Sequence, residues 1–260
     1  MADSKIHEGK RVFITAGAGG IGLGIARAFL AEGARVHVVD ISQEAVDAAV
    51  AANEGLTGSV GDVTKAEDMD RVFEEVRQQL GGLDVMVSNA GVAGPTVSVE
   101  DYPQEGWDAA IGVNLNGSFA VAQRAIPLLK ESRNGTYLIM SSLAGRFGYK
   151  DRIGYATAKW GLVGFMKTLA LELGDWGINV NSIHPGAVNG PRIETVLQGR
   201  ADANGTTLEQ ERESALANQS IKRFVEADEI GQLAVFLASP AAKSISGQLM
   251  PIDGDSKAAS

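Results

Sequence analysis

What most constrains this chain is an alternation. Short, β-branched runs are separated by segments with helical spacing, from one end of the sequence to the other. Residues 11–15 (Arg-Val-Phe-Ile-Thr) read as a buried strand, and 20–31 follow with Ile21, Ile25 and Phe29 at helical spacing before Gly33 stops them. The pair recurs as a strand over 35–39 and a helix from Ser42 to near Gly55. A strand over 56–60 precedes a helix opened by Thr64 and Glu67 at capping-box spacing, with Met69, Val72, Phe73, Val76 and Leu80 on its apolar face. Next come a strand over 83–88, helical regions around Trp107 and over 113–130, and a strand over 136–140. A long helix over 155–173 and strands over 178–183 and 248–252 complete the series. Strand-helix-strand units of this size imply a parallel sheet, because each parallel connection needs a crossover. The expected fold is α/β, a doubly wound parallel sheet in a single domain spanning 1–260.

With 260 residues, 45% hydrophobic and 21% charged, the chain can build one sizeable core. A net charge of -9 disfavours nucleic acid as a partner, since a phosphate backbone is gripped by a basic surface. The absence of cysteine removes disulfides and thiolate chemistry, and fits a reducing compartment. His7, His37 and His184 are scattered without zinc-type spacing, so no catalytic metal is expected. Residues 1–9 are polar and no run of about 18 apolar residues follows, so neither a signal peptide nor a membrane span is expected. The chain reads as cytoplasmic.

In doubly wound sheets ligands sit at the carboxyl ends of the strands, which directs attention to the strand-to-helix loops. The first such loop, residues 15–22, is Thr-Ala-Gly-Ala-Gly-Gly-Ile-Gly and contains G-x-G-x-x-G at Gly17, Gly19 and Gly22, with Gly20 and Ile21 between the last two. Glycines let a backbone approach a pyrophosphate, and a helix N-terminus offers free N–H groups and a favourable dipole. Glycines also make ordinary turns, so the weight comes from the β-loop-α context and from Asp40 at the end of the second strand. A carboxylate there accepts from the adenosine ribose hydroxyls and repels a 2′-phosphate, and Ile41 beside it supplies no positive charge. This is a Rossmann-type arrangement that favours NAD over NADP; the alternative is that Asp40 only caps the next helix.

Tyr155 and Lys159, four residues apart, project from one helix face. A phenol with an ordinary pKa of about 10 is a poor base at neutral pH, and an adjacent ammonium lowers that value. Such a tyrosine can take a proton from an alcohol or return one to a carbonyl. Alone, Tyr-x-x-x-Lys recurs by chance, and its ordinary reading is a helix face with a lysine stem laid along it.

Taken with its surroundings, the sequence resembles the short-chain dehydrogenase/reductase family over nearly its whole length. Residues 15–22 match the family's T-G-x-x-x-G-I-G, with Ala16 in place of its first glycine. Asp62-Val63 resembles the pair that contacts the adenine, and Ser88-Asn89-Ala90-Gly91 resembles N-N-A-G with serine in first position. The resemblance implies that Asn114 holds a water near the lysine and that Ser142, thirteen residues before Tyr155, polarises the substrate; Ser141 is its rival. It implies that Pro185, Gly186 and Val188 face the nicotinamide, although Gly190 stands where threonine is expected. Its further implications are Tyr155 as acid/base, Lys159 on the nicotinamide ribose, and a homotetramer built on the helices over 113–130 and 155–173.

Specificity is expected from residues 185–220. There Asn189-Gly190-Pro191 breaks the chain, and Thr207 with Gln210 can cap a short helix that acts as a lid. Arg192 reads as a surface arginine, or as a partner for a carboxylate, sulfonate or phosphate. Phe147 and Tyr149 read as pocket walls or as loop anchors, and the tail 256–260 as loose. The leading function is interconversion of a small secondary alcohol and its ketone. The alternatives are an NADPH-dependent ketoreductase of 3-oxoacyl type, a non-catalytic nicotinamide sensor, and a dehydratase or epimerase that retains its cofactor.

Overall fold

A computed structural model describes residues 5–259; residues 1–4 of the polar N-terminal segment and Ser260 of the tail lie outside it. The strands are β1 (Arg11–Thr15), β2 (Arg35–Asp40), β3 (Leu56–Val60), β4 (Val85–Ser88), β5 (Thr136–Met140), β6 (Asn179–Pro185) and β7 (Leu249–Ile252). They form one sheet in the order β3-β2-β1-β4-β5-β6-β7, every adjacent pair parallel. The doubly wound α/β reading is therefore correct. Chain order reverses between β1 and β4, which opens a crevice at their carboxyl ends.

Among the described residues the helices are α1 (Gly20–Ala31), α2 (Gln43–Ala52), α3 (Ala66–Leu80), α4 (Gln104–Ile111), α5 (Gly117–Ser132), α6 (Ile153–Leu173), α7 (Pro191–Asn204), α8 (Leu208–Ala217) and α9 (Ala227–Ala238). Successive strand residues point to opposite faces, so each strand feeds two cores. On one face Val12, Ile14, Val36, Val38 and Leu138 pack with Ile25 and Phe29 of α1 and Ile230 and Ala234 of α9. On the other, Phe13, Met86, Tyr137 and Ile139 pack with Met69 and Val72 of α3, Val121 of α5 and Leu162 and Met166 of α6. Burial on both faces is why these strands read as continuous apolar runs.

Three expectations require correction. Thr64 and Glu67 do not form a capping box. The residue before α3 is Lys65, which makes no side-chain cap, and the Thr64 hydroxyl donates to Asp62 Oδ1 at 2.7 Å. The turn is organised instead by carboxylates, Asp68 Oδ2 accepting from the Asp62 N–H at 3.0 Å. Secondly, the helix read over 113–130 begins with a π-helical turn, Gly112–Asn116. Thirdly, the start of the tail, residues 256–257, is docked: Ser256 is buried, its hydroxyl donates to the Asp253 carbonyl at 2.8 Å, and the Lys257 N–H donates to the Asn218 carbonyl at 3.0 Å.

Candidate active site

The glycine loop leaves β1 and enters α1 with Gly19 as N-cap, no side-chain cap and no acid in the first turn. The positive end of α1 is thus uncompensated and free to receive an anion, which is what a pyrophosphate needs. Ala16, in the place of the family's first glycine, takes φ 49°, a left-handed backbone costing an L-residue about 1–2 kcal/mol. Asn89 braces it, its Nδ2 donating to the carbonyls of Thr15 and Ala16, each at 3.0 Å. The first asparagine's replacement, Ser88, is buried and donates to Ser118 Oγ at 3.2 Å.

Asp40, at the end of β2, accepts from the N–H groups of Ala18 at 3.3 Å and Ile41 at 2.8 Å. It does not cap α2; Ser42 does, accepting from the Ala45 N–H at 3.2 Å. Its carboxylate therefore stays beside the glycine loop, with the exposed Ile41 next to it.

One cleft of about 370 Å³ runs from this corner to the start of α6. Gly19, Gly20, Ile21 and Asp40 line one part, and Asn89, Gly91, Ser142, Tyr155, Lys159, Pro185, Gly186 and Val188 the rest. Gly17, Gly22, Asp62, Val63, Ala90 and Asn114 are not on its wall. Gly17 and Gly22 are where a Cβ would collide with Val38 and with the loop's own backbone, so they shape the cradle from behind. Asp62 follows β3 next to the Asp40 end of β2, since Asp40 pairs with Val60. Val63 is buried against Gly117 at the start of α5.

Lys159 is 3% exposed and its Nζ donates to the Met140 carbonyl at 2.8 Å, tying α6 to the end of β5. Burial lowers its pKa to about 8, with Arg192 acting in the same direction and Tyr155 opposing. For Tyr155 burial raises the pKa, but Lys159, then Arg192, Ser142 and Arg152, outweigh it, so the phenol lies below its ordinary 10.0. Ser142 and Ser141 separate cleanly: Ser141 is buried and donates to the Lys159 carbonyl at 3.0 Å, whereas Ser142 sits beside the phenol at the head of a short turn. Behind Ser142, His184 Nδ1 bonds its carbonyl at 2.8 Å and burial keeps that imidazole neutral, its pKa lowered to about 4.

Asn114 lies in the π-helical turn, fully buried. Its Nδ2 donates to the carbonyls of Ala110 and Val92, and its Oδ1 has no partner. A buried acceptor without a donor calls for a water, and the Cβ that Gly91 lacks would lie within 3.3 Å of Lys159 Nζ and against that Oδ1. On the opposite wall, the backbone on either side of Val188 bonds Val225, leaving the N–H and C=O of Val188 itself directed away from that bridge. Gly190 has φ 139°, a conformation closed to threonine, and Pro191 then starts α7. Over the cleft the single expected lid helix is two, α7 and α8, the latter opened by the expected capping box of Thr207 and Gln210. Tyr149 is a cleft wall, whereas Phe147 lies off it, its carbonyl accepting from Trp160 Nε1 at 3.3 Å. Arg192 is exposed, as a surface arginine is, yet it also lines the cleft and donates to the Gly91 carbonyl at 3.2 Å.

A family model described as enoyl-(acyl carrier protein) reductase matches residues 16–254. The chain belongs to the short-chain dehydrogenase/reductase family. It is 36% identical to D-beta-hydroxybutyrate dehydrogenase of Cupriavidus necator, over 95% of this chain and 97% of that one. It is 38% identical to a 3-oxoacyl-(acyl-carrier-protein) reductase of Thermotoga maritima, again over 95% and 97%. A solved structure of NAD+-bound xylitol dehydrogenase superposes with a TM-score of 0.92 at 25% identity, covering 95% of this chain and 98% of that one. These relatives are all dehydrogenases or reductases. Among the described residues no helix is long and apolar enough to cross a membrane.

Proposed function

We propose that the chain is an NAD-dependent dehydrogenase/reductase that interconverts a small secondary alcohol and its ketone, with Tyr155 as the acid/base. The observation that carries this reading is the convergence on one cleft of a pKa-lowered phenol, its ammonium partner and a carboxylate-terminated nucleotide corner. The uncapped N-terminus of α1, the free backbone groups of Val188 and the orphaned Asn114 Oδ1 fit a dinucleotide and an ordered water. When bound, the nicotinamide supplies or accepts the hydride.

The protein's part is proton handling and orientation. In alcohol oxidation the Tyr155 phenolate takes the hydroxyl proton while Ser142 hydrogen-bonds the same oxygen; in reduction the phenol returns it. Lys159 holds the ribose and favours the phenolate, and Asn114 with its water passes the proton onward. Asp62 and Val63 bound the adenine, and Asn89, Ala90 and Gly91 complete the cofactor site. The relatives' names suggest a hydroxy acid, a polyol or an acyl thioester as substrate. The working unit is a cytoplasmic homotetramer.

Purified protein incubated with a panel of secondary alcohols and either NAD or NADP tests this. Absorbance from NADH should rise catalytically, and NAD should exceed NADP in kcat/KM by at least about tenfold, the effect of one unfavourable charge contact. Equal or better rates with NADP would remove the role given to Asp40.

A further inference from the structure

Arg152, Arg192 and Arg200 converge on the part of the cleft that Tyr149 and Tyr155 line. Arg152 is 2% exposed; its Nη2 donates to the Ala93 carbonyl at 2.7 Å, and its Nε is buried without a partner. Arg200 is 9% exposed and donates to the Tyr149 hydroxyl. The guanidiniums of Arg152 and Arg200 both lie over the Tyr149 ring, at 5.3 and 5.2 Å, and Arg152 also lies 5.2 Å from the Tyr155 centroid.

None of the three forms an ion pair among the described residues, whereas Arg11, Arg71, Arg124, Arg146, Arg212 and Arg223 each hold a carboxylate. Glu211 is near enough to feel the charge of Arg200, yet its carboxylate accepts from Asn204 and Thr206 instead. Burying a guanidinium without a counter-charge is costly, and mutual repulsion adds to it. Stacking on tyrosine offsets only part of that cost. A planar or tetrahedral oxyanion, gripped by guanidinium forks, is the group that balances such a wall.

We propose that this wall is an anion subsite: the substrate carries an oxyanion group, a carboxylate, sulfonate or phosphate, held by Arg152 and Arg200 with Arg192 closing over it. This rests on the oxidoreductase reading, and it narrows the substrate to an anionic hydroxy or keto compound. Apolar Ala93, Ile193 and Val196 line the same cleft, which suits a short aliphatic stem joining anion to carbonyl.

Calorimetric titration of the complex with oxidised NAD, which has no hydride to give a ketone, tests the subsite without turnover. Four ketones serve as probes: acetoacetate, 2-oxopropanesulfonate, dihydroxyacetone phosphate and neutral 4-hydroxybutan-2-one. At least one anion should bind thirtyfold or more tighter than the neutral ketone, and which one does so identifies the group. Arg200→Met and Arg152→Met should each weaken that anion at least tenfold with NADH affinity retained; Arg200→Met alone suffices should the other fail to fold. A neutral ketone binding as tightly as every anion overturns the proposal, as does undiminished anion affinity in a folded Arg200→Met. Loss of NADH affinity in step with anion affinity also overturns it, since the arginines would then be holding the cofactor. Tight anion binding with no NADH oxidation keeps the subsite and contradicts the oxidoreductase reading alone.

Discussion

The proposed mechanism turns on one phenol whose ionisation is set by opposing influences. Burial alone would make Tyr155 a weaker acid, and the neighbouring ammonium and guanidiniums reverse that. Lys159 is the largest of these positive charges, so its removal should raise the Tyr155 pKa. An ultraviolet difference titration of Lys159→Met, with Tyr155→Phe as the blank, should move the tyrosinate transition up by at least about one unit. A transition unmoved by the substitution would assign the lowered value to the arginines. Two departures from the family pattern also have local causes. Ala16 is tolerated in a left-handed backbone because Asn89 fixes the carbonyls around it, and Gly190 is obligatory because φ 139° admits no β-branched side chain.

The elements explain why these residues meet. Five of the strands deliver a cleft-lining residue at or just beyond their carboxyl ends, and the helices fix the spacing. The pairing of α1 with α9 depends on two glycines. A Cβ on Gly24 would lie 2.8 Å from the Ala227 backbone, and one on Gly231 would lie 2.7 Å from the Gly24 carbonyl. Gly231→Val should therefore cost about 2–3 kcal/mol in urea unfolding, and a change below about 0.5 kcal/mol would mean that the helices can separate. Strand and helix existence was legible in the sequence because two-sided burial writes itself as periodicity. The Thr64–Glu67 box failed because Asp62 and Asp68 competed for the same turn. Arg152 and Arg200 are not legible as site residues in the sequence because the sheltering of a guanidinium is decided by residues far away in sequence, such as Ala93 and Tyr149. The only local hints were the placing of Arg152 one helical turn before Tyr155 and of Arg200 two turns after Arg192.

At the scale of the molecule, α5 and α6 present large apolar side chains outward, Phe119 at 53%, Trp160 at 48% and Leu171 at 86% exposure. Such residues on two neighbouring helices are what an interface between copies would cover. Sedimentation equilibrium should give the mass of four chains, and Leu171→Glu should lower it; a monomer in both cases would contradict the assembly. Ser142 and Lys159 meet Tyr155 in the cleft, so the central claim is tested most directly there. Single-turnover kinetics of Tyr155→Phe with NAD and an alcohol substrate, beside NADH binding followed by fluorescence, makes the measurement. The account predicts oxidation slowed by at least about a thousandfold, within the range general acid/base groups contribute, with NADH affinity unchanged. Oxidation at the wild-type rate in that variant would contradict it.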